Sequence, residues 1–179
     1  RACLPLLQAA QAQLPAAVEL GIATLHGIPL YDGDVEARDG LPAAVKALQE
    51  RIVASDGVLL ATPEYNNGIP GVFKNAIDWL SRDVDGRSGL EPYRGKVVAL
   101  MAASPGAFGG VMALGHLRQT LARLFAHVIP DQFPLPKADQ AFADGASCHQ
   151  EKYRRADGRA DDGSERADDG AEHYSAADR

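Results

Sequence analysis

The apolar run Gly57-Val58-Leu59-Leu60-Ala61 feeds directly into the turn Thr62-Pro63-Glu64-Tyr65-Asn66-Asn67-Gly68, and from Pro70 onward the apolar residues fall at helical spacing. An uninterrupted run of this kind reads as a parallel strand buried on both faces. A strand that ends in a polar, glycine-bearing turn and enters a helix sets amides and side chains at the carboxyl edge of a sheet, where open α/β folds bind ligands. The turn is therefore a candidate site, not merely a connection.

The same arrangement recurs downstream. Val97-Val98-Ala99-Leu100-Met101 forms another continuously apolar strand, and Ala103-Ser104-Pro105-Gly106-Ala107-Phe108-Gly109-Gly110 turns it into a helix carrying Val111, Leu114, Leu117, Leu121, Leu124 and Phe125. Upstream, Leu4, Leu7 and Leu14 are spaced as on a helix, and Val18, Leu20 and Ile22 alternate as in a strand exposed on one side. A Gly/Pro/Asp-rich crossing covers 26–41, and Pro42 opens a helix with Val45, Leu48 and Ile52 on its apolar face. The helix after Pro70 is expected to bury Val72, Phe73, Ile77, Trp79 and Leu80, and His127-Val128-Ile129 reads as a last strand. The order α-β-α-β-α-β-α-β implies a parallel sheet with right-handed crossovers.

At 179 residues the chain is one domain's worth, with 46% hydrophobic and 23% charged residues, as in an ordinary globular protein. No apolar run reaches the roughly 18 to 20 residues of a membrane span and no leader is visible, so the expectation is a cytoplasmic protein without a membrane partner. The net charge of −6 argues against a nucleic-acid partner, which needs a basic face. Cys3 and Cys148 form no zinc-type cluster and read as two inert thiols. Arg1 begins inside a helical pattern without an initiator methionine, so a truncated front is expected.

From Asp144 the character changes. Residues 144–179 hold ten acidic and six basic side chains, and a degenerate Arg/Ala/Asp/Gly repeat begins at Arg155. Such a segment buries too little apolar area to offset its ordering entropy. The division expected is a domain at 1–143 and a disordered acidic tail at 144–179. Asp157, Arg159 and Asp162 do not match a calcium-loop spacing, so no metal is expected.

Two polar or glycine-rich turns after successive apolar strands would open onto one edge of one sheet and outline a crevice. Each alone is weak, since the first could be an ordinary turn and the second lacks the GxGxxG spacing. The three glycines of the second would let backbone approach a flat ligand. Tyr65 could stack near such a ligand or cap its own loop against the sheet. Trp79 reads as core or subunit contact, and Asp78 and Arg82 could pair along a helix face. No GxSxG elbow, HExxH or Walker loop is present, and His116 reads as a surface or packing histidine.

The run Pro63-Glu64-Tyr65-Asn66, with Ile69-Pro70-Gly71-Val72-Phe73-Lys74-Asn75-Ala76-Ile77-Asp78-Trp79-Leu80-Ser81-Arg82, closely resembles the signature of the NADPH-dependent FMN reductases. These include quinone, chromate and azo-dye reductases. Ile28-Pro29-Leu30-Tyr31, Gly95-Lys96-Val97-Val98 and Ser104-Pro105-Gly106 with Gly109-Gly110 extend the resemblance over roughly 2–143. It implies a flavodoxin-like α/β sandwich with a five-stranded parallel sheet in the order 2-1-3-4-5, FMN at the strands' carboxyl ends, and a homodimer or homotetramer associating through helix 70–82.

By the same resemblance, Pro63, Glu64, Tyr65, Asn66, Asn67 and Gly68 line the isoalloxazine and ribityl side of FMN, while Ser104, Gly106, Gly109 and Gly110 close on its pyrimidine end. The family's opening strand and Ser/Asn-rich phosphate loop have no counterpart after Arg1, and that strand would lie between the Val18 and Gly57 strands. The family's closing amphipathic helix has none either, for which a frameshift near 143–146 in a GC-rich coding sequence is the expected cause, with a genuine linker as the alternative. The implied activity is transfer of hydride from NADPH or NADH through FMN to a quinone, flavin or other small acceptor. No catalytic side chain is required, because the cofactor carries the chemistry. The alternative is a non-catalytic FMN-binding electron carrier or an inactive truncated fragment.

Overall fold

The computed structural model describes residues 2–142. These form α1 (Cys3–Gln11), α2 (Gly33–Asp39), α3 (Ala43–Ala54), β1 (Gly57–Pro63), α4 (Gly71–Leu80), β2 (Val97–Ala103), α5 (Val111–Arg123) and β3 (His127–Leu135). The strands make one parallel sheet in the order β1-β2-β3. Consecutive strands are neighbours, as strands 3-4-5 are in the family order.

The core follows from the alternation along β2. Val98, Leu100 and Ala102 point one way and meet Leu114, Leu117 and Leu121 of α5, Ile77, Trp79 and Leu80 of α4, and Val45 of α3 in one buried cluster. Each such leucine contributes roughly 1.5–3 kcal/mol by leaving water. Helix ends are closed by side chains from neighbouring elements. Gln49 Nε2 of α3 donates to the carbonyls of Leu80, the last residue of α4, and of Arg82 just after it, at 3.0 Å each. Lys96 Nζ donates to the Val53 and Ser55 carbonyls at the end of α3, where a cation also suits the helix dipole.

Several elements differ from the sequence expectation. Val18, Leu20 and Ile22 lie in coil, because among the described residues no strand offers them a ladder and β1 pairs only with β2. Side chains hold this segment instead: Gln11 Nε2 donates to the Leu20 carbonyl at 2.6 Å and Arg51 to the Ile22 carbonyl at 3.3 Å. The helical order is correspondingly α-α-α-β-α-β-α-β. In α1 the buried face is Leu6 and Ala9, while Leu4 is exposed, since the helix rests on β1 and β2 by the former stripe; Leu14, also exposed, lies beyond the helix end. Val72 and Val111 are also exposed, each lying outside the face its helix turns to the core, and Phe125, exposed too, lies beyond the end of α5 at φ of 65°. β3 runs to Leu135, well beyond Ile129. The boundary at 143 and the acidic tail lie outside the described residues.

The crossing 26–41 contains α2, which Asp32 caps by accepting the Asp34 N–H at 2.9 Å. Arg82 does not pair with Asp78. Asp78 takes Lys74 at 2.7 Å, and Arg82 Nε reaches back to Glu36 at 2.9 Å, beside the Tyr31 hydroxyl that donates to Glu36 at 2.8 Å. The Arg82 hydrogen bond, opposed by desolvation and assisted by Tyr31, holds the Glu36 carboxyl below its ordinary range. A carboxyl depressed in the fold stabilises fully above its unfolded value of about 4.5 and loses that contribution as pH falls through the folded value. The urea midpoint of the parent is expected to drop more on acidification below about pH 4.5 than that of Glu36→Gln. Parallel declines would dismiss the linkage.

Candidate functional site

The parallel register pairs Pro63 with Ala103, so β1 and β2 end level and their following loops leave from the same rim. In the first loop Tyr65 and Gly68 exchange both backbone hydrogen bonds at 3.0 Å, closing a two-residue turn. Asn66 and Asn67 form its tip at φ of 51° and 60°, a left-handed pair that asparagine tolerates. Their amide side chains have no partner among the described residues, and Tyr65 is 61% exposed rather than folded onto the sheet.

Glu64 joins the two loops. Gly110, the N-cap of α5, has no side chain to offer, and Glu64 Oε2 accepts the Ala113 N–H at 2.9 Å in its place. One helical turn on, His116 Nδ1 stands 3.6 Å from the position a Gly68 Cβ would take, so the hairpin lies along the first turns of α5. Tyr65 and Gly109 therefore belong to one rim. Glu64→Ala is expected to lower stability by ~1–2 kcal/mol, the scale of a lost N-cap, and Glu64→Gln by less because an oxygen acceptor remains. Urea unfolding measures both, and two unchanged midpoints would remove Glu64 from this role.

A third segment closes the second loop. The Ser104 N–H donates to the Leu135 carbonyl at 3.1 Å, Ala138 N–H to the Ser104 carbonyl at 3.0 Å and Lys137 N–H to the Gly106 carbonyl at 3.3 Å. Gly109 and Gly110 are required by this packing. A Cβ on Gly109 would fall 2.7 Å from Pro136 N, and one on Gly110 would fall 2.8 Å from Ala102 Cβ, both at positive φ. Gly106 alone of the three would take a Cβ without a clash, its nearest neighbour being Ser104 Oγ at an ordinary 3.5 Å.

All ten expected site positions thus fall on this rim. Sequence reasoning did not place His116 or the 134–138 wall there, and no local signal could have, since both contacts depend on tertiary packing. Phe108 is 80% exposed between the glycines and adds an apolar surface. An open groove lined by Ile77, Ser81, Gln119, Arg123 and Leu124 lies between α4 and α5. It sits toward the C-terminal ends of these helices, whereas the rim lies at their N-terminal ends. Among the described residues no group of three or more His, Cys, Asp or Glu could hold a metal ion, and no helix is long and apolar enough to cross a membrane. Burial pushes the Cys3 thiol above its usual range, which keeps thiolate scarce.

Comparison with known proteins agrees with this geometry. The family described as NADPH-dependent FMN reductase matches residues 1–140. A quinone reductase of Escherichia coli is 47% identical over 116 residues, which cover 64% of this chain and 59% of that protein. The NAD(P)H-dependent FMN reductase PA1204 of Pseudomonas aeruginosa is 40% identical over 154 residues, 86% of this chain and 77% of its own length. Among solved structures, the flavoenzyme NAD(P)H:(acceptor) oxidoreductase FerB of Paracoccus denitrificans superposes with a TM-score of 0.67 at 31% identity, covering 84% of this chain and 79% of that one. The chain spans 59% of the length of the E. coli relative, short of the whole.

Proposed function

Because this chain belongs to the NADPH-dependent FMN reductase family, we propose that it is an NAD(P)H-dependent FMN oxidoreductase that passes hydride through FMN to a quinone, flavin or other small acceptor. The observation that carries this reading is the single rim built by loops 64–68 and 104–110, pinned together by Glu64 and Ala113. Bound there, FMN would supply a two-electron carrier. The rim fits the ring end of that cofactor: the Asn66 and Asn67 amides, without a partner among the described residues, offer donors and acceptors to a polar ring edge, and exposed Tyr65 offers an aromatic face. Without a side chain and with only Ser104 Oγ near, Gly106 would admit a flat group close to backbone.

Each further residue has a task in this reading. Pro63 and Gly68 bound the first loop, while Ser104, Gly109 and Gly110 hold the second against its wall. The Glu64 carboxylate is already engaged by α5, so it positions the loops and leaves ring contacts to its neighbours. Phe108 excludes water from one side and gives an apolar acceptor a surface to rest on. The quinone reductase relative favours such an acceptor. Residues 1–143 form the FMN-binding domain, the chain works in the cytoplasm, and it associates as a homodimer or homotetramer through α4, whose Val72 is 65% exposed.

The test adds FMN to the purified chain, follows quenching of flavin fluorescence, and then supplies NADPH or NADH with benzoquinone. Flavin-dependent turnover is expected. Binding without turnover would make the chain an electron carrier, and absence of both binding and turnover would reject the reading.

A further inference from the structure

We propose that Arg118 is a positioning residue that sets the register of β3, and through it the wall against which the second rim loop closes. Only the cofactor consequence rests on the FMN reading above. β3 does not pair evenly with β2: Val98 faces Val128 and Leu100 faces Gln132, so the single residue Ala99 opposes Ile129, Pro130 and Asp131. Two residues of β3 are extra, and carbonyls in this bulge have no regular ladder to enter. Pro130 has no N–H to offer either.

Arg118, projecting from α5, meets these groups. Nη1 donates to the Val128 carbonyl at 3.1 Å, and Nη2 donates to the Ile129 and Pro130 carbonyls at 2.6 and 3.1 Å. With the Gln132 amide oriented so that its oxygen faces the guanidinium, that oxygen accepts from Nε at 2.8 Å and Nη2 at 3.0 Å. One planar fork therefore spans the whole irregularity, which a lysine's point charge could not match.

Side-chain patterning cannot do this work. Slipping a strand by two residues leaves every side chain on its original face, so hydrophobic alternation does not resist it. The slip would nonetheless carry the far end of β3 about 6.6–6.8 Å along the sheet. That end is the wall: Leu135 accepts the Ser104 N–H, Ala138 donates to Ser104, and residues 134–136 press on Gly109. Holding the bulge thus holds the rim.

The test compares Arg118→Met, Arg118→Lys and Leu121→Ala, the last being a fully buried α5 leucine whose loss weakens the fold without touching the bulge hydrogen bonds. Amide hydrogen exchange without cofactor reads Ser104, Lys137 and Ala138 against Leu60 and Ala61 of β1. Arg118→Met is expected to lose about tenfold or more protection at the wall relative to β1, the scale of a few lost hydrogen bonds, and Arg118→Lys to recover part of it. FMN binding should weaken by a similar factor. Leu121→Ala should lower all these amides together. Wall protection unchanged in Arg118→Met, or lost no more selectively than in Leu121→Ala, would overturn the proposal. If Arg118→Met does not fold, Gln132→Ala carries the same exchange test. Failure of the parent to bind FMN would reject the functional reading and leave the exchange result to decide Arg118.

Discussion

Gly109→Ala is expected to cost ~2–5 kcal/mol of stability and to abolish tight FMN binding, whereas Gly106→Ala should stay within about 0.5 kcal/mol of the parent. The two glycines sit three residues apart in one loop but differ in backbone conformation and in surroundings. At Gly109 the backbone has φ of 63°, a left-handed conformation that charges a side-chain-bearing residue about 1–2 kcal/mol. Its Cβ would also lie 2.7 to 2.8 Å from backbone atoms of Pro134, Leu135 and Pro136. Backbone cannot swing aside as a flexible side chain can, so the wall must retreat and the hydrogen bonds from Lys137 and Ala138 must lengthen. At Gly106 the nearest neighbour is a serine hydroxyl at 3.5 Å, an ordinary contact. Urea unfolding separates the two variants and flavin titration reads the site. Equal midpoints for them would mean that the wall does not press on the loop.

That comparison also shows where local sequence stops being informative. Both rim loops were legible because a continuous apolar run ending in polar residues has few places to go other than the carboxyl edge of a buried parallel sheet. The reason for the glycines was not, because the wall at 134–136 is brought to Gly109 by β3, which follows α5 in the chain and returns to pair with β2. Helix existence was read correctly at α1, α3, α4 and α5, but the buried stripe was not always the expected one. Leu4 and Leu6 both begin plausible apolar faces, and only the position of β1 and β2 selects Leu6.

The strand expected at Val18, Leu20 and Ile22 failed for a related reason. Alternation encodes an extended chain, but a ladder requires a neighbour that alternation does not supply. Charge pairing was equally underdetermined. Asp78 has a basic residue four positions away on either side, and Arg82 was taken by Glu36, which no helical spacing connects to it. The α2 cap at Asp32 was visible in principle, since an aspartate followed by acidic residues is a helix-start signal. The glycine and proline of its surroundings masked it.

The second large effect is expected at Trp79, where Trp79→Ala should cost ~3–5 kcal/mol and Trp79→Phe ~1–2 kcal/mol. The side chain is 0% exposed within a single chain, which places it in the core without any need for a subunit contact. Its Nε1–H donates to the Pro29 carbonyl at 2.9 Å, and its ring meets that of Tyr31 edge-on, 4.9 Å between centroids. Asn75, one turn earlier on α4, accepts the Tyr31 N–H and donates to the same Pro29 carbonyl, each at 2.8 Å. Trp79 and Asn75 together fasten segment 28–31 to α4. Alanine empties the space and releases the crossing, while phenylalanine keeps most of the ring and leaves the Pro29 carbonyl with Asn75 as its donor. Because these contacts lie on α4 and not on the rim, FMN affinity of folded Trp79→Phe should remain within about twofold of the parent. A loss of stability in Trp79→Ala below about 1 kcal/mol would show that α4 is not anchored here, and a tenfold loss of FMN affinity in Trp79→Phe would show that the anchor reaches the rim.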